Sequence, residues 1–216
     1  MDKKSLQFLR NRLDSAVLSM SKTVKDELYS SIILPTAVEW FDNNDTVIML
    51  NDKIKKNVND RLPFIEKKLK SQLLDFEEQT NATLSKSAGL DNRDIDVKKI
   101  TDDLSESIAM AIGTIGTVIV GMIAGGSGTA LIAGGPIGWI IGAIVAGSVF
   151  FLGKEVLEEE IGEYISHKSI PPFVKKLAKN KVVSQLKMNE AKFEEDVYNM
   201  LQEQVKPIYE AIDGGL

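Results

Sequence analysis

Residues 107–153 of this chain read SIAMAIGTIGTVIVGMIAGGSGTALIAGGPIGWIIGAIVAGSVFFLG. The stretch decides the fold, because it contains no charged residue in a protein that is 26% charged, and it holds 12 of the 16 glycines. An uncharged stretch of this length either enters a lipid bilayer or forms the buried centre of a helical domain. The functional interpretation of the whole 216-residue chain depends on that choice.

Two apolar arms of equal length flank the middle of this stretch. The arms cover 108–124 and 136–152, and the segment 125–135 between them reads GGSGTALIAGG. At 1.5 Å per residue, a helix of about 17 residues is roughly 25 Å long, slightly less than the ~30 Å hydrocarbon core of a bilayer. The pattern predicts a glycine-rich hydrophobic helical hairpin that spans a thin bilayer or enters one leaflet.

The glycines of the hairpin occur where close packing and turns need them. Glycine costs about 1 kcal/mol relative to alanine inside a helix, but small residues four apart let two helices approach closely in lipid. Gly-Gly-Ser-Gly and Gly-Gly-Pro are typical of turns. The residues predicted to form the turn and to pack the arms are Gly121, Gly125, Gly126, Gly128, Gly134, Gly135, Pro136, Gly138 and Gly142. The residues predicted to insert into the membrane are Ile108, Ile112, Ile115, Val118, Val120, Ile123, Ile137, Trp139, Ile140, Ile141, Ile144, Val149, Phe150 and Phe151.

Outside the hairpin, apolar residues recur every three or four positions, which is typical of one face of a helix. Three such stripes are present: Leu6, Leu9, Leu13, Val17, Met20, Val24 and Leu28; Ile54, Val58, Leu62, Ile65, Leu69, Leu73 and Phe76; and Phe193, Val197, Met200, Leu201, Val205, Ile208 and Ile212. Faces of this kind are buried against one another. We therefore expect an all-α fold, an elongated antiparallel helical bundle that forms a single domain over 1–216, with almost no β-strand.

Prolines and polar clusters predict where the helices end. Pro35 and the Asn-Asn-Asp sequence that follows it predict an interruption between about 34 and 46. Pro63 and Pro207 are expected to bend or interrupt their helices, and 85–95 is expected to be a loop. The chain then divides into amphipathic long helices over 1–100, the hydrophobic hairpin over 107–153, and a basic segment with a C-terminal helix over 154–216.

The segment between Ile165 and Met188 carries six lysines and no Asp or Glu. Cationic residues interleaved with apolar ones bind anionic lipid headgroups, at about 1 kcal/mol per lysine near the surface. The alternative interpretation is an ordinary solvated helix face. The residues predicted to contact anionic lipid are Lys168, Lys175, Lys176, Lys179 and Lys181.

Nothing in the sequence indicates catalysis. His167 is the only histidine, cysteine is absent, and the glycine-rich segment lacks the Gly-Lys-Ser/Thr ending that binds nucleotide phosphates. The net charge of −5 argues against a nucleic-acid partner. The lack of cysteine fits a cytosolic protein, and the N-terminus has no apolar core of a secretion signal. We expect a cytoplasmic non-enzyme without cofactor or metal, which is peripheral to a membrane or inserted into it.

The order of these features resembles the helical stalk and membrane-contacting tip of bacterial dynamin-like proteins. The features are AIGTIGTVIVGMIAGGSG and GGPIGWIIGAIVAG in the hairpin, and then the proline-led IPPFVKKLAKNKVVSQL before a terminal helix. The likeness covers roughly residues 100–200, is one of pattern, and does not extend to a GTPase motif. It implies self-association or a partner protein, with GTP hydrolysis supplied by another chain.

The chain also resembles the pore-forming domains of colicins, which shelter a hydrophobic hairpin among amphipathic helices. The acidic residues that flank the hairpin are Asp102, Asp103, Glu106, Glu155, Glu158, Glu159 and Glu160. Neutral carboxyls enter a membrane interface at lower cost than charged ones, so lipid insertion is expected to increase between about pH 7 and pH 4. A third possibility is a helical structural subunit whose hairpin packs on neighbouring copies.

Overall fold

The computed structural model of the chain describes residues 3–86, 96–124, 169 and 171–214. Nearly all of these residues are helical, and none of them lies in a β-strand. This confirms the all-α fold that the sequence predicts. The turn of the hairpin, its second arm and Lys168 lie outside the described residues.

Five α-helices and one π-helical segment make up the described part of the chain. They are α1 (Lys3–Lys25), the π-helical segment (Asp26–Ile33), α2 (Leu34–Asp42), α3 (Val47–Lys86), α4 (Val97–Ala124) and α5 (Pro172–Gly214). The first arm of the predicted hairpin is therefore the C-terminal part of α4. This helix begins eleven residues before that arm, at Val97, and includes charged residues.

The chain stays helical through Pro35, where the sequence predicts an interruption. Before the proline the helix widens into π-turns, in which the Leu34 N–H donates to the carbonyl of Tyr29, five residues back. Proline lacks an N–H and its ring clashes with the carbonyl four residues back, and a π-turn changes the spacing that causes the clash. The interruption is confined to 43–46, so the prediction is correct for that part only.

Neither of the other two prolines interrupts its helix. Pro63 lies inside α3 and Pro207 lies inside α5. An interior proline costs about 3 kcal/mol, and apolar side chains that are buried close by, such as Val58 and Val205, offset that cost. Helix α3 also continues to Lys86, past the predicted start of a loop at residue 85.

Contacts along the chain divide it into two units. The first unit comprises Met1–Val24, Leu62–Ile115 and Glu194–Leu216, and the second comprises Lys25–Arg61 and Gly116–Phe193.

The first unit is an antiparallel bundle. Helix α1 runs opposite to α3, since Arg12 donates to Gln79 at 3.0 Å while Thr23, further along α1, accepts from the earlier Gln72 at 2.9 Å. Helix α1 also runs opposite to α5, because its Arg10 pairs with Asp213 and its later Asp14 accepts from the earlier Tyr209. Helix α1 is therefore antiparallel to both α3 and α5, as expected for an antiparallel bundle, while α3 and α5 run in the same direction.

The predicted stripes form the core. Most residues of the three stripes are buried. The exceptions are half-buried, and they are Leu6, Leu62 and Met200. Helix α4 adds a fourth buried face at spacings of three and four, made of Val97, Ile100, Leu104, Ile108, Ala111 and Ile115. Burial of such side chains stabilises a fold by about 1.5–3 kcal/mol each, so this core accounts for the bundle.

Candidate membrane-contact site

The first half of α5, in the second unit, presents an exposed face that is both basic and apolar. Phe173 is 67% exposed and Met188 is 78% exposed, and Lys176 and Lys187 are exposed beside them. The spacing of these residues places them on one side of the helix, with Phe173 and Lys176 in one turn and Lys187 and Met188 about three turns later. We call these four residues the α5 face. No Asp or Glu occurs from 164 to 189. The next acidic residue is Glu190, three positions after Lys187, and its carboxylate is bonded to Ser30 and Lys25.

Lys175, two residues after Phe173, points the opposite way. Its side chain is only 1% exposed, although both sequence interpretations place it on the surface. The structure corrects that prediction. Lys179 is half-buried and pairs with the carboxylate of Asp42 at 2.6 Å, so it too is directed towards the corner between α2 and α3. Among the lysines predicted to contact lipid, Lys176 has an exposed side chain. Lys181 lies in the helical backbone of α5, without a described side-chain environment, so its lipid contact stays a prediction.

The ammonium group of Lys175 lies in a cage of backbone carbonyls. Its Nζ donates to the carbonyls of Trp40 at 3.2 Å, Asn43 at 2.7 Å and Asp45 at 3.0 Å. The ammonium also lies 3.9 Å from the centre of the Trp40 ring, within the range of a cation–π interaction. Carbonyls at the end of a helix have no partner inside the helix, so Lys175 caps the C-terminal end of α2. We call these acceptor groups and the Trp40 ring the α2–α3 corner.

Burial and the charge of Asp45 act in opposite directions on the pKa of the Lys175 ammonium. Burial lowers the pKa of Lys175, because removal from water penalises the charged form, while the nearby charge of Asp45 raises it. Three carbonyl acceptors match the three N–H donors of an ammonium group, whereas a neutral amine has only two. The geometry is therefore that of the charged form.

A second polar cluster joins α5 to the π-helical segment. Glu190 accepts from Ser30 at 2.8 Å and from Lys25 at 3.1 Å, and these two donors lower the pKa of the Glu190 carboxyl. Nearby, the Tyr29 hydroxyl donates to the carbonyl of Leu186 at 2.6 Å, and burial raises the pKa of that hydroxyl. These contacts fix α5 on the π-helical segment beyond the α2–α3 corner.

The described part of the first hairpin arm is amphipathic. Ile108, Ile112 and Ile115, which are predicted to insert into a membrane, are all buried, and Val118 is half-buried. Met110 on the opposite side is exposed. The apolar face of α4 is packed against protein in the described fold. Lipid contact by these three isoleucines stays a prediction, and it requires α4 to leave this packing.

Of the other predicted hairpin residues, Val120, Gly121 and Ile123 lie in the helical backbone of α4, without a described side-chain environment. The others, 125–151, lie outside the described residues. Among the helices that the structure describes, none combines the length and the apolar character needed to cross a membrane. Within the same residues, no group of three or more His, Cys, Asp or Glu side chains is placed to hold a metal ion.

Sequence reasoning missed the α2–α3 corner, although a signal for it exists. Lys175 lies eleven residues, or three helical turns, before the buried Leu186, and Leu186 lies seven before the buried Phe193. Lys175 therefore continues the buried stripe of α5 towards its N-terminus. A lysine in that position needs a buried partner, and an adjacent helix end with free carbonyls supplies one.

The described residues define an all-α helical-bundle protein. Comparison of the chain with protein-family models, with curated proteins and with solved structures finds no match.

Proposed function

We propose that this protein binds lipid membranes without being an enzyme. The observation that carries the proposal is the uncharged stretch 107–153, whose length and glycine content are typical of hairpins that enter a bilayer. The α5 face supports it independently, because it combines two exposed apolar side chains with two exposed lysines. This combination is typical of surfaces that rest on anionic headgroups.

The α5 face alone supplies only weak attachment. Burying Phe173 and Met188 in the interface contributes about 1.5–3 kcal/mol each, and Lys176 and Lys187 contribute about 1 kcal/mol each near an anionic surface. A single lipid chain, which binds membranes only marginally and reversibly, has a similar affinity. Stable attachment therefore requires the hairpin, and the α5 face serves to bring the protein to the surface.

Insertion of the first arm is conditional in this proposal. Ile108, Ile112 and Ile115 are buried in the bundle, so their transfer to lipid exchanges one apolar environment for another and gains little hydrophobic free energy. The gain has to come from other parts of the hairpin or from a trigger such as acidification. Sheltered and inserted arrangements then compete, which makes binding responsive to conditions.

Two more specific versions of the proposal predict different effects on a membrane. If the protein is a remodelling partner of a GTPase on the cytoplasmic side, as the likeness to dynamin-like stalks implies, it binds liposomes without making them leak. If it is a pore-forming protein, it binds and releases their contents. The sheltered isoleucines of α4 favour the second version, because pore-forming domains store their hairpins in this way.

Flotation with dye-loaded liposomes tests the proposal and separates these versions. The purified protein is mixed with anionic or zwitterionic liposomes, and both its flotation and dye release are scored.

Replacing Phe173 and Met188 by Ser should weaken binding to anionic liposomes. Replacing Leu74, which is equally apolar and 65% exposed but lies on α3 in the first unit, is the matched control. Equal effects of both changes would reject a role for the α5 face.

A further inference from the structure

The α2–α3 corner is built from neutral groups that all point at one spot. The carbonyls of Trp40, Asn43 and Asp45 converge there within 3.2 Å of the Lys175 Nζ. The Trp40 ring covers one side at 3.9 Å. The nearby carboxylate of Asp42 is engaged by Lys179. The corner therefore recognises its occupant by hydrogen-bond geometry and by the ring, and the nearby charge of Asp45 attracts a cation without forming a direct ion pair.

This set of groups selects a primary ammonium over other cations. Three acceptors match the three N–H donors of –NH₃⁺, and an aromatic face attracts organic cations. Mg²⁺ and Ca²⁺ bind through carboxylates and need six or more oxygen ligands, which the three carbonyls of the corner do not supply. A neutral hydroxyl would leave two of the three carbonyls without a donor.

The shape of the corner is held by bonds that do not involve Lys175. The Trp40 Nε1–H donates to the carbonyl of Thr46 at 3.1 Å, and the Thr46 hydroxyl accepts from the Met49 N–H at 3.2 Å. The Asn43 N–H donates to the carbonyl of Trp40 at 3.3 Å. These links close the 43–46 connection on itself and fix the indole, so the corner is expected to persist when Lys175 is shortened.

We infer that the α2–α3 corner is a binding site for a primary alkylammonium group, and that Lys175 is its tethered ligand. Docking of the first turns of α5 is then a binding event, in which Lys175 fills the site and the exposed Lys176 does not. Because Lys175 is held inward, Phe173 on the other side of the helix is directed outward. Together with the buried Leu186 and Phe193, the site therefore determines which face of α5 is exposed.

The inference predicts that an emptied site takes up a free ligand. Lys175→Ala removes three methylenes and the ammonium group from the side chain. The removed atoms correspond to propylammonium, which can therefore replace them as a free ligand. The chain has two tryptophans, Trp40 and Trp139, so a Trp139→Phe background leaves Trp40 as the only indole. Its Nε1–H resonance in a ¹H–¹⁵N spectrum then reports directly on the corner.

Titration of that Lys175→Ala variant with propylammonium chloride tests the inference. We expect a saturable shift of the Trp40 resonance towards its position in the protein with Lys175 intact, with a dissociation constant on the order of 10 mM for so small a ligand. Sodium chloride and 1-propanol at equal concentrations should give no saturable shift. A non-saturable shift, or an equal response to propanol, would overturn the inference.

Two further variants complete the test. Lys175→Met fills the site with an apolar chain of nearly the same length and should not respond to propylammonium, and Lys176→Ala should not respond because Lys175 still occupies the site. If the Lys175→Ala variant is unfolded, the same titration is followed by its helical circular dichroism. Recovery of helix with propylammonium but not with propanol supports the inference, and no recovery refutes it.

Discussion

Lys175→Met should destabilise the protein while Lys176→Met should not, although the two residues are adjacent. Methionine keeps a stem of similar length against Trp40 and removes only the ammonium group. Three hydrogen bonds from a charged donor are lost, at roughly 1.5 kcal/mol each or more. The cost of burying a charge is relieved at the same time, and it amounts to several kcal/mol.

The balance of these effects predicts a loss of about 2 kcal/mol in the free energy of unfolding. The freed carbonyls of Asn43 and Asp45 belong to residues that are not fully buried, so water can replace part of the lost bonding. Lys175→Ala also removes three buried methylenes, at about 0.8 kcal/mol each, and should lose about 4 kcal/mol. Lys176→Met, at an exposed position, should stay within about 0.5 kcal/mol of the parent protein.

Urea denaturation followed by circular dichroism measures all three variants. Because the chain divides into two units, amide hydrogen exchange of 40–46 and 172–179 should accompany it to show where protection is lost. The predicted order of stability is Lys176→Met, then Lys175→Met, then Lys175→Ala. If Lys175→Met is as stable as Lys176→Met, the carbonyl cage does not stabilise the fold and the reasoning fails.

Three further predictions concern acid stability, the α5 face and the hairpin. The pKa of Glu190 lies below its usual 4.5, so its stabilising effect is present above that pH and is lost as the pH falls through the lowered pKa. In urea titrations Glu190→Gln should lose stability at pH 7 and converge with the parent protein in stronger acid, whereas a difference independent of pH would contradict this. Phe173→Ser with Met188→Ser should weaken flotation with anionic liposomes several-fold, and unchanged flotation would contradict a role for the α5 face. Leucine in place of Gly121 and Gly142 should impair membrane binding if the arms pair, and unchanged binding would reject paired arms.

The helical core was predictable because its signal is strong and local. Leu9, Leu13 and Val17 repeat at helical spacing and are buried as expected. The continuation of the helix through Pro35 was not predictable from local rules, because packing on both sides of the proline outweighs its own preference. A widened π-turn resolves that conflict by changing the local hydrogen-bond spacing.

The functional surfaces were predictable only in part. The charge pattern identified a basic segment, and Lys176 is exposed as that pattern requires. It did not separate Lys176 from the buried Lys175, because residue type alone does not show which way a side chain points. That distinction depends on the helical phase of α5 and on the free carbonyls at the end of α2, which come together only in the folded chain.

The most direct test of membrane binding is flotation of the purified full chain with dye-loaded anionic liposomes at pH 7 and at pH 4. Our account predicts that the protein floats with the liposomes, more strongly at the lower pH, and that leakage distinguishes a pore from a remodelling or anchoring role. Absence of flotation at both pH values would contradict it. The stretch 107–153 would then be a buried core or a contact between subunits.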